Sequence, residues 1–337
     1  MIKVLIGGSP CTHWSAANKF REKESEGLGW ELFKNYLIAK ERFEPNFFLY
    51  ENNKSMASAI KEQITEELGV EPIIIDSSLV SAQKRNRLYW TDIPNVKQPE
   101  DRKILLEDIT LNDVDPIALH NIYGGYHEEV VRVSENKSPT IRTSAGGGHL
   151  PYFVKKDLIH NKKAIDYMDR CVADGRSHWD FCHHSDIKNE KSQTVVANFF
   201  KGVPYNVFKD WDCIRKFHPI ECERLQTLPD NYTEGISDTQ RYKCIGNGWT
   251  AEVIMHILRH ANIPIEEEVV ILSMYDGIGT GRYCFDKLGY KKIKYYAFEI
   301  DKYAIQIANK NYDDIVELGD AFQIRNDEFE LKSIIGI

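Results

Sequence analysis

The chain alternates short apolar runs with segments of helical periodicity, and this alternation constrains the possible fold more than any other feature. Up to residue 90, the predicted strands are 2–6, 47–50, 72–75 and 87–90, and the predicted helices are 30–39 and 57–68. After residue 213 the alternation returns, with helices at 219–225, 250–260, 283–288 and 302–311 and strands at 269–274 and 294–298. Strands that alternate with helices are typical of an α/β protein with a parallel sheet.

The part of the chain between these two regions differs in periodicity and in residue composition. From about residue 95 to residue 213, helical periodicity fades and polar turns become frequent, as in Gly146-Gly147-Gly148. This change predicts a smaller β-rich domain inserted into the α/β domain. The predicted division is 1–100 for the first part of the α/β domain, 101–213 for the insert and 214–337 for the second part.

Composition excludes several other classes of protein. Of the 337 residues, 42% are hydrophobic and 28% are charged, a balance typical of a globular chain. No apolar run approaches the ~20 residues of a membrane span, and the start of the chain is too short for a signal peptide. The seven cysteines are scattered and odd in number, which favours reduced thiols and a cytoplasmic location. A net charge of −8 argues against a wholly basic binder, but a local basic face for nucleic acid remains open.

A glycine-rich turn follows the predicted strand 269–274 and opens a helix. It consists of Tyr275, Asp276, Gly277, Ile278, Gly279, Thr280 and Gly281. Glycines there allow close approach of a ligand to the backbone, and a helix N-terminus offers free N–H groups. Glu299 lies about 20 residues further on, where an acid holds a ribose, and Asp320 could accept from an adenine amino group. The pattern predicts a nucleoside cofactor, and both NAD and S-adenosylmethionine fit it.

A second group of polar residues follows the first strands of the chain. Cys11 comes directly after the first strand, Glu51 and Asn52 after the second, and Arg85 and Arg87 beside a later one. A loop thiol at the carboxyl edge of a sheet is placed for chemistry, whereas a structural cysteine normally lies within the strand. A thiol, an acid and an arginine pair at one edge therefore predict a catalytic site.

These motifs together resemble the DNA (cytosine-5)-methyltransferase family. Ser9-Pro10-Cys11 resembles its nucleophile loop, Glu51-Asn52 its Glu-Asn pair, and the segment from Gln83 to Arg87 its Gln-x-Arg-x-Arg motif. Residues 215–232 resemble the helix that closes the recognition domain, and 246–249 resemble the final motif. The glycine-rich turn, Glu299 and Asp320 resemble the first three motifs. In the family these come first, so the chain is predicted to be circularly permuted.

The resemblance implies a permuted Rossmann-like methyltransferase sheet with a smaller β-rich target-recognition domain. It implies methyl transfer from S-adenosylmethionine to carbon 5 of a flipped-out cytosine in double-stranded DNA, through a covalent adduct with Cys11. The implied catalytic residues are Cys11, Glu51, Arg85 and Arg87, and the implied substrate-binding residues are Ser9, Thr12, Asn52 and Gln83. The implied cofactor-binding residues are 275–281, Glu299, Ile300, Asp320, Ala321, Pro10, Asn247, Gly248 and Trp249. No metal is expected.

The insert is the expected target-recognition region. Its candidate DNA contacts are Arg132, Lys137, Arg142, Lys155, Lys156, Lys162, Lys163, Arg170 and Arg176, interleaved with Tyr123, Tyr126 and Tyr152. A methyltransferase of RNA and a catalytically silent DNA-binding relative remain open alternatives. A monomer in a bacterial cell or a phage-infected host is the default expectation, with a separately acting restriction endonuclease as a candidate partner.

Overall fold

The computed structural model describes residues 1–15, 20–111, 114–120, 132–134, 136–138, 140, 152–155 and 214–336. For Cys11 and for the strands at 114–120, 132–134, 152–155 and 214–216, it describes the backbone alone. The candidate DNA contacts at 123, 126, 142, 156, 162, 163, 170 and 176 lie outside the described residues, as do the side chains of Arg132, Tyr152 and Lys155.

Each strand and helix that the sequence predicts is present, with small differences at its ends, and the described chain contains further elements that were not predicted. The strands are β1 (Ile2–Gly7), β2 (Phe47–Asn53), β3 (Ile73–Asp76), β4 (Asn86–Thr91), β5 (Val114–His120), β6 (Arg132–Ser134), β7 (Tyr152–Lys155), β8 (Ile214–Lys216), β9 (Glu268–Met274), β10 (Lys292–Phe298) and β11 (Ile315–Gly319). The helices are α1 (Gly27–Phe43), α2 (Ser58–Leu68), α3 (Pro219–Leu225), α4 (Asp238–Asn247), α5 (Ala251–Arg259), α6 (Thr280–Lys287), α7 (Lys302–Asn311) and α8 (Leu331–Ile335). Among these helices, none has the length and apolarity needed to cross a bilayer.

Seven strands form one sheet in the order β11-β10-β9-β1-β2-β4-β3. The first strand of the chain lies at the centre, where β1 runs parallel to β9 with Ile2 opposite Val269 and Gly7 opposite Met274. From this central pair the chain winds outward in two directions, through β10 and β11 on one side and through β2 on the other. The predicted α/β class is therefore confirmed, with the cofactor strands last in the chain.

Side chains of each central strand alternate between two apolar layers. One layer contains Val4 and Ile271 beneath α5, α6 and α7, and the other contains Leu5 and Leu272 beneath α1, α2 and α8. Burial on both faces explains why these strands are continuous apolar runs rather than alternating ones. The amino group of Met1 pairs with the Glu267 carboxylate just before β9.

One edge of the sheet departs from the parallel arrangement that the alternation of strands and helices predicts. β4 runs antiparallel to both β2 and β3. The connection from Asp76 to Asn86 contains only a 3-10 helix at Ser77–Leu79. A parallel connection needs a crossover of a dozen or more residues, usually a helix, so this short link returns the chain in the opposite direction.

The described strands of the insert form a second, antiparallel sheet in the order β6-β5-β7-β8. β8 pairs with β7 in this sheet, so the sheet includes residues beyond 213, the predicted end of the insert. A small apolar cluster joins this region to the large domain, and it includes Leu106, Phe217, Leu225 and Ile245. The β-rich character expected for the insert is present in these strands.

Candidate active site

The carboxyl ends of the central strands surround a cavity of ≈ 240 Å³. It lies where β9 and β1 adjoin, the point at which the winding of the sheet reverses and where ligands bind in open α/β sheets. Its lining includes Gly8, Ser9, Pro10, Glu51, Arg85, Arg87, Asn247, Gly248, Trp249, Tyr275, Asp276, Gly277, Ile278, Thr280 and Glu299. Residues from both predicted groups, cofactor-binding and catalytic, therefore share one cavity.

The glycines of the turn after β9 are needed for different reasons. Gly277 has a φ of 67°, and a Cβ at that position would meet nothing within 4 Å, so this glycine faces open space. Gly279 also has a positive φ, of 74°. A Cβ on Gly281 would overlap the hydroxyl of Tyr295, so this glycine allows α6 to pack closely on β10. The turn is thus shaped by backbone conformation and close packing together.

Glu299 holds the glycine-rich turn against the end of β10. Its Oε2 accepts from the backbone N–H of Gly277 at 2.8 Å, and its Oε1 accepts from the N–H groups of Ile300 and Asp301 at 2.8 Å each. A carboxylate offers about four acceptor positions. One position therefore remains for a ligand hydroxyl, as the sequence predicts for a ribose.

Asp276 places a buried carboxyl beneath the turn. The hydroxyl of Tyr295 donates to its Oδ1 at 2.5 Å, while its Oδ2 is buried and has no hydrogen-bond partner in the described part of the chain. Burial raises the pKa of Asp276 to about 6. The buried Oγ1 of Thr280, also in the lining, likewise has no described partner. Two unpaired polar atoms at a cavity wall fit a ligand that brings its own donors and acceptors.

On the other side of the cavity, the loop after β1 packs closely against the backbone of β2, which fixes its position. A Cβ on Gly8 would overlap the carbonyl oxygen of Glu51. The side-chain amide of Asn52 donates to the carbonyl of Ser9 at 3.1 Å, and the hydroxyls of Ser9 and Tyr50 lie 2.7 Å apart. Asn52 therefore lies behind the loop, where it supports Ser9, and it is absent from the cavity lining.

Glu51 is held by a cation and by an indole. Its Oε1 lies 3.0 Å from Nε of Arg87, and its Oε2 accepts from Nε1 of Trp249 at 3.1 Å. The side chains of Glu51 and Arg87 are only 12% and 13% exposed. A carboxylate with a partner on each oxygen has a fixed orientation, and this one faces the cavity.

Arg85 connects the catalytic side to the segment after α4, and Gln83 connects it to the end of α3. Nη2 of Arg85 donates to the carbonyl of Gly248 at 2.8 Å. The amide of Gln83 is fully buried and donates to the carbonyl of Leu225 at 3.1 Å, so it is turned away from the cavity. The structure therefore gives Gln83 a role in joining the two parts of the domain, and its predicted contact with substrate stays a prediction.

Several other predicted site residues do not line the cavity, and Gly279 and Gly281 are among them. Asp320 caps the 3-10 helix at Ala321–Arg325 by accepting from the N–H of Phe322 at 2.9 Å. Ala321 lies in that helix, Ile300 is 72% exposed, and Thr12 is exposed in the 3-10 helix Cys11–His13. That helix begins directly after Pro10, but the side chain of Cys11 lies outside the described part of the structure.

Other lining residues were not predicted from the sequence. They are Gly8, Lys243, Cys244, Asp301 and Ala304. One sequence signal was present, because Asp301 precedes a helix at the N-cap position. Another was the spacing of Lys243 and Asn247, which lie four residues apart and so share a helix face.

Lys137, a candidate DNA contact, is engaged within the protein. Its ammonium donates to the carbonyls of Ser78 at 2.8 Å and Ser81 at 3.1 Å, and also to that of Ile104. Burial lowers the pKa of Lys137. The expectation that this lysine contacts DNA is therefore wrong, because its donors hold the insert to the large domain.

Among the residues with described side chains, no group of three or more His, Cys, Asp or Glu side chains could hold a metal ion. The buried polar atoms and the glycine-rich turn instead fit a nucleoside with a charged tail. The switch point of the sheet thus joins such a turn to the loop that leads into Cys11 and to a fixed carboxylate.

Residues 1–262 match the family described as C-5 cytosine-specific DNA methylase, and the chain belongs to that family. The match ends before β9, so the glycine-rich turn follows the matched region. The chain is 27% identical over 279 residues to the Type II methyltransferase M1.ScrFI of Lactococcus lactis subsp. cremoris, covering 79% of this chain and 63% of that protein. It thus spans less than two thirds of that relative's length.

Two further similarities have comparable coverage. Type II methyltransferase M.HpaII of Haemophilus parainfluenzae is 26% identical over 267 residues, which cover 72% of this chain and 67% of that protein. A crystal structure of a Spodoptera frugiperda DNMT2 mutant is 17% identical, covers 77% of this chain and 79% of that chain, and gives a TM-score of 0.42.

Proposed function

We propose that the chain transfers a methyl group from S-adenosylmethionine to carbon 5 of a cytosine that is flipped out of double-stranded DNA. The observation that carries the proposal is the shared cavity: Glu51, held by Arg87 and Trp249, lines the same space as Gly277 and Glu299. Membership of the cytosine-specific family supports the choice of base.

The nucleophile in this proposal is Cys11. Carbon 5 of cytosine is a poor nucleophile and becomes reactive when a thiolate adds to carbon 6. A sulfur–carbon bond forms at that step, and the electron pair of the 5,6 double bond becomes available at carbon 5. Sulfur suits both ends of the reaction, because it attacks well near neutral pH and also leaves well. Pro10, in the lining, immediately precedes Cys11 and supports this assignment.

Glu51 activates the base from its protonated form, by donating a hydrogen bond or the proton itself to N3. Its two partners keep the carboxylate aimed at the cavity, so little reorganisation accompanies substrate binding. Arg87 would hold the cytosine O2 while it stays paired with Glu51. After carbon 5 has gained the methyl group, a base removes its proton, and that electron pair restores the 5,6 double bond as the Cys11 thiolate departs.

The cofactor side belongs to the turn after β9. S-adenosylmethionine supplies, when bound, an electrophilic methyl group on a sulfonium. Gly277 leaves space beside the backbone, Glu299 retains an acceptor position for a ribose hydroxyl, and Thr280 and Asp276 offer unpaired polar atoms to the charged tail. Ile300, Asp320 and Ala321 stay candidate contacts for the adenine.

The base must leave the duplex to reach this cavity, which costs a few kcal/mol of stacking and pairing. Contacts between DNA and the recognition residues offset this cost. These residues are assigned to the insert, with Arg132 and Lys155 among the candidates. We further infer a cytoplasmic monomer whose candidate partner is a separately acting restriction endonuclease. Relatives named Type II methyltransferases support the partner. The buried cysteines Cys222, Cys244 and Cys284 form no disulfide, which supports a reducing compartment.

The test is transfer of labelled methyl from S-adenosylmethionine to unmethylated double-stranded DNA, followed by nucleoside analysis of the product. Wild type is expected to produce 5-methylcytosine, and Cys11→Ser is expected to produce none. Cys222→Ser serves as the matched control, because this buried thiol lies outside the cavity lining.

The other outcomes separate the competing functions. Transfer to RNA in preference to DNA would favour an RNA methyltransferase. Cofactor binding without transfer to either nucleic acid would favour a silent relative and contradict the proposed reaction.

A further inference from the structure

An ion pair connects two separate parts of the cavity lining. Nζ of Lys243 donates to Oδ2 of Asp301 at 2.6 Å. Lys243 lies on α4, one turn before Asn247, and Asp301 caps the N-terminus of α7. Both residues line the cavity.

The two partners belong to opposite sides of the proposed cofactor site. Lys243 lies on α4 near Asn247 and Gly248, a segment that is separated from the glycine-rich turn by α5 and β9 in sequence. Asp301 stands two residues after Glu299, whose carboxylate holds that turn. A nucleoside held by Glu299 would therefore lie beside this ion pair, and the pair ties the α4 side of the cavity to the β10–α7 side.

The pair combines one fixed partner with one movable partner. Oδ1 of Asp301 accepts from the backbone N–H of Tyr303 at 3.0 Å, so the carboxylate cannot swing freely. The lysine has a long flexible stem and is 43% exposed, against 25% for the aspartate. The hydrogen bond to Asp301 raises the pKa of Lys243, so the lysine is charged at neutral pH. An ion pair at the solvent boundary opens at small cost and is weakened by salt.

We propose that Lys243 and Asp301 form a clamp across the mouth of the cofactor cavity, which closes beside a bound adenosyl cofactor and opens for its exchange. The proposal rests on the proposed function, since it takes this cavity as the site of S-adenosylmethionine. Both are positioning residues: they govern how quickly the cofactor and its demethylated product exchange, and they take no part in the chemistry.

The clamp predicts a change in exchange rates with little change in the methyl-transfer step. The probe is S-adenosylhomocysteine, and its dissociation is followed by stopped-flow tryptophan fluorescence, since Trp249 lines the cavity. The variants are Lys243→Met, Asp301→Asn and the double variant. Asparagine keeps the helix cap, because Asn and Asp are equally good N-cap residues.

The matched control is another lysine–acid pair on the same sheet. Lys294 and Glu268 lie 3.0 Å apart at the amino ends of β10 and β9, whereas the cavity is at the carboxyl ends. Lys294→Met and Glu268→Gln remove the same charges and are expected to leave probe dissociation unchanged.

Each single clamp variant is expected to speed dissociation by about 2- to 5-fold, the range for a partly exposed ion pair. The double variant should be no faster than the faster single one, since both remove one interaction. For wild type, dissociation should quicken as ionic strength rises from about 0.01 M to about 1 M, over which the Debye length falls from about 30 to about 3 Å. The double variant should lose this salt response.

Failure of the clamp and failure of the proposed function give different results. If wild type does not bind the probe, the proposed cofactor site is wrong, and the proposed clamp is wrong as well. If wild type binds the probe but the clamp variants match it in rate and salt response, only the clamp is wrong. Fully multiplicative effects of the two substitutions would also overturn it, because they would mean that the residues act separately.

Discussion

The two sides of the cavity are built in different ways. On the cofactor side, the shape comes from backbone: Gly277 and Gly279 adopt positive φ, and Glu299 binds three backbone N–H groups. On the catalytic side, the shape comes from side chains, with Glu51 held by Arg87 and by Trp249. The first side depends on residues near one another in sequence, and the second joins residues 198 positions apart.

This difference has a consequence for how each side tolerates change. A turn that depends on backbone conformation is destabilised when a substituted residue cannot adopt the required φ. The free-energy cost then depends on that position alone. A side-chain network is lost when one partner is removed, because the remaining groups are left unpaired in a partly buried site. Substitutions on the catalytic side should therefore lower the methyl-transfer rate, and substitutions on the cofactor side should weaken cofactor binding.

The largest expected effect is on the catalytic side. Glu51→Gln keeps an oxygen for the indole of Trp249 but removes the negative charge beside Arg87 and the group that activates the base. The expected fall in kcat is about 10²–10⁴-fold, the usual contribution of a positioned acid or base. Initial rates at saturating DNA and cofactor measure it. Near-full turnover in this variant would show that Glu51 does not activate the cytosine.

Substitution of Gly8 should damage the catalytic side by another route. In Gly8→Ala the new methyl overlaps the carbonyl oxygen of Glu51, so the loop that carries Cys11 must shift. A displacement of about 1 Å costs on the order of 10² in rate. Circular dichroism establishes that the variant folds, and the methyl-transfer rate then reports the shift.

Gly277→Ala is the matched change on the cofactor side. Its methyl would meet nothing within 4 Å, so only the positive φ resists it, at about 1–2 kcal/mol. We expect weaker cofactor binding and a nearly normal rate at saturating cofactor. Equal rate losses in the two alanine variants under those conditions would contradict the distinction between the two sides.

Loss of the Lys137 ammonium should affect stability and recognition more than chemistry. Lys137→Met leaves the carbonyls of Ser78, Ser81 and Ile104 without this donor, at about 1–3 kcal/mol. Urea unfolding measures the stability, and the KM for DNA measures the docking of the insert. A KM for DNA that is raised, and that increases with salt as steeply as in wild type, indicates impaired docking of the insert. A lost phosphate contact would instead make KM less dependent on salt.

The smallest expected effect is a pH-dependent gain in stability. Asp276 has a pKa of about 6 when folded, above its usual 3.8, so the folded state holds this proton more tightly. Wild type should therefore lose stability as pH rises from about 4 to about 6, with no further loss from this group above that range. Asp276→Asn lacks this loss and should be more stable at pH 7 by about 1–3 kcal/mol.

Denaturant unfolding of both proteins across that pH range gives the difference directly. If the difference in free energy of unfolding between wild type and Asp276→Asn does not change with pH, it does not arise from the titration of Asp276.

The same contrast explains how much the sequence could predict. The strand–turn–helix at 269–288 and the position of Glu299 beside Gly277 depend on local sequence, so they could be predicted. The antiparallel direction of β4 was missed, although the sequence predicted no helix between residues 75 and 87. α4 was missed because it is mostly polar, and the contact of Trp249 with Glu51 required the folded chain. The role of Lys137 was missed because a lysine in a polar insert resembles any surface lysine.

The most direct measurement is trapping of the proposed adduct on DNA that carries 5-fluorocytosine at the methylated position. Fluorine at carbon 5 cannot be removed as a proton, so the reaction should stop with the enzyme attached to carbon 6. The account predicts a denaturation-resistant complex that forms only with S-adenosylmethionine, and peptide mass spectrometry should find the link at Cys11. Methylation of ordinary DNA without such a complex, or with a link at another residue, would contradict it.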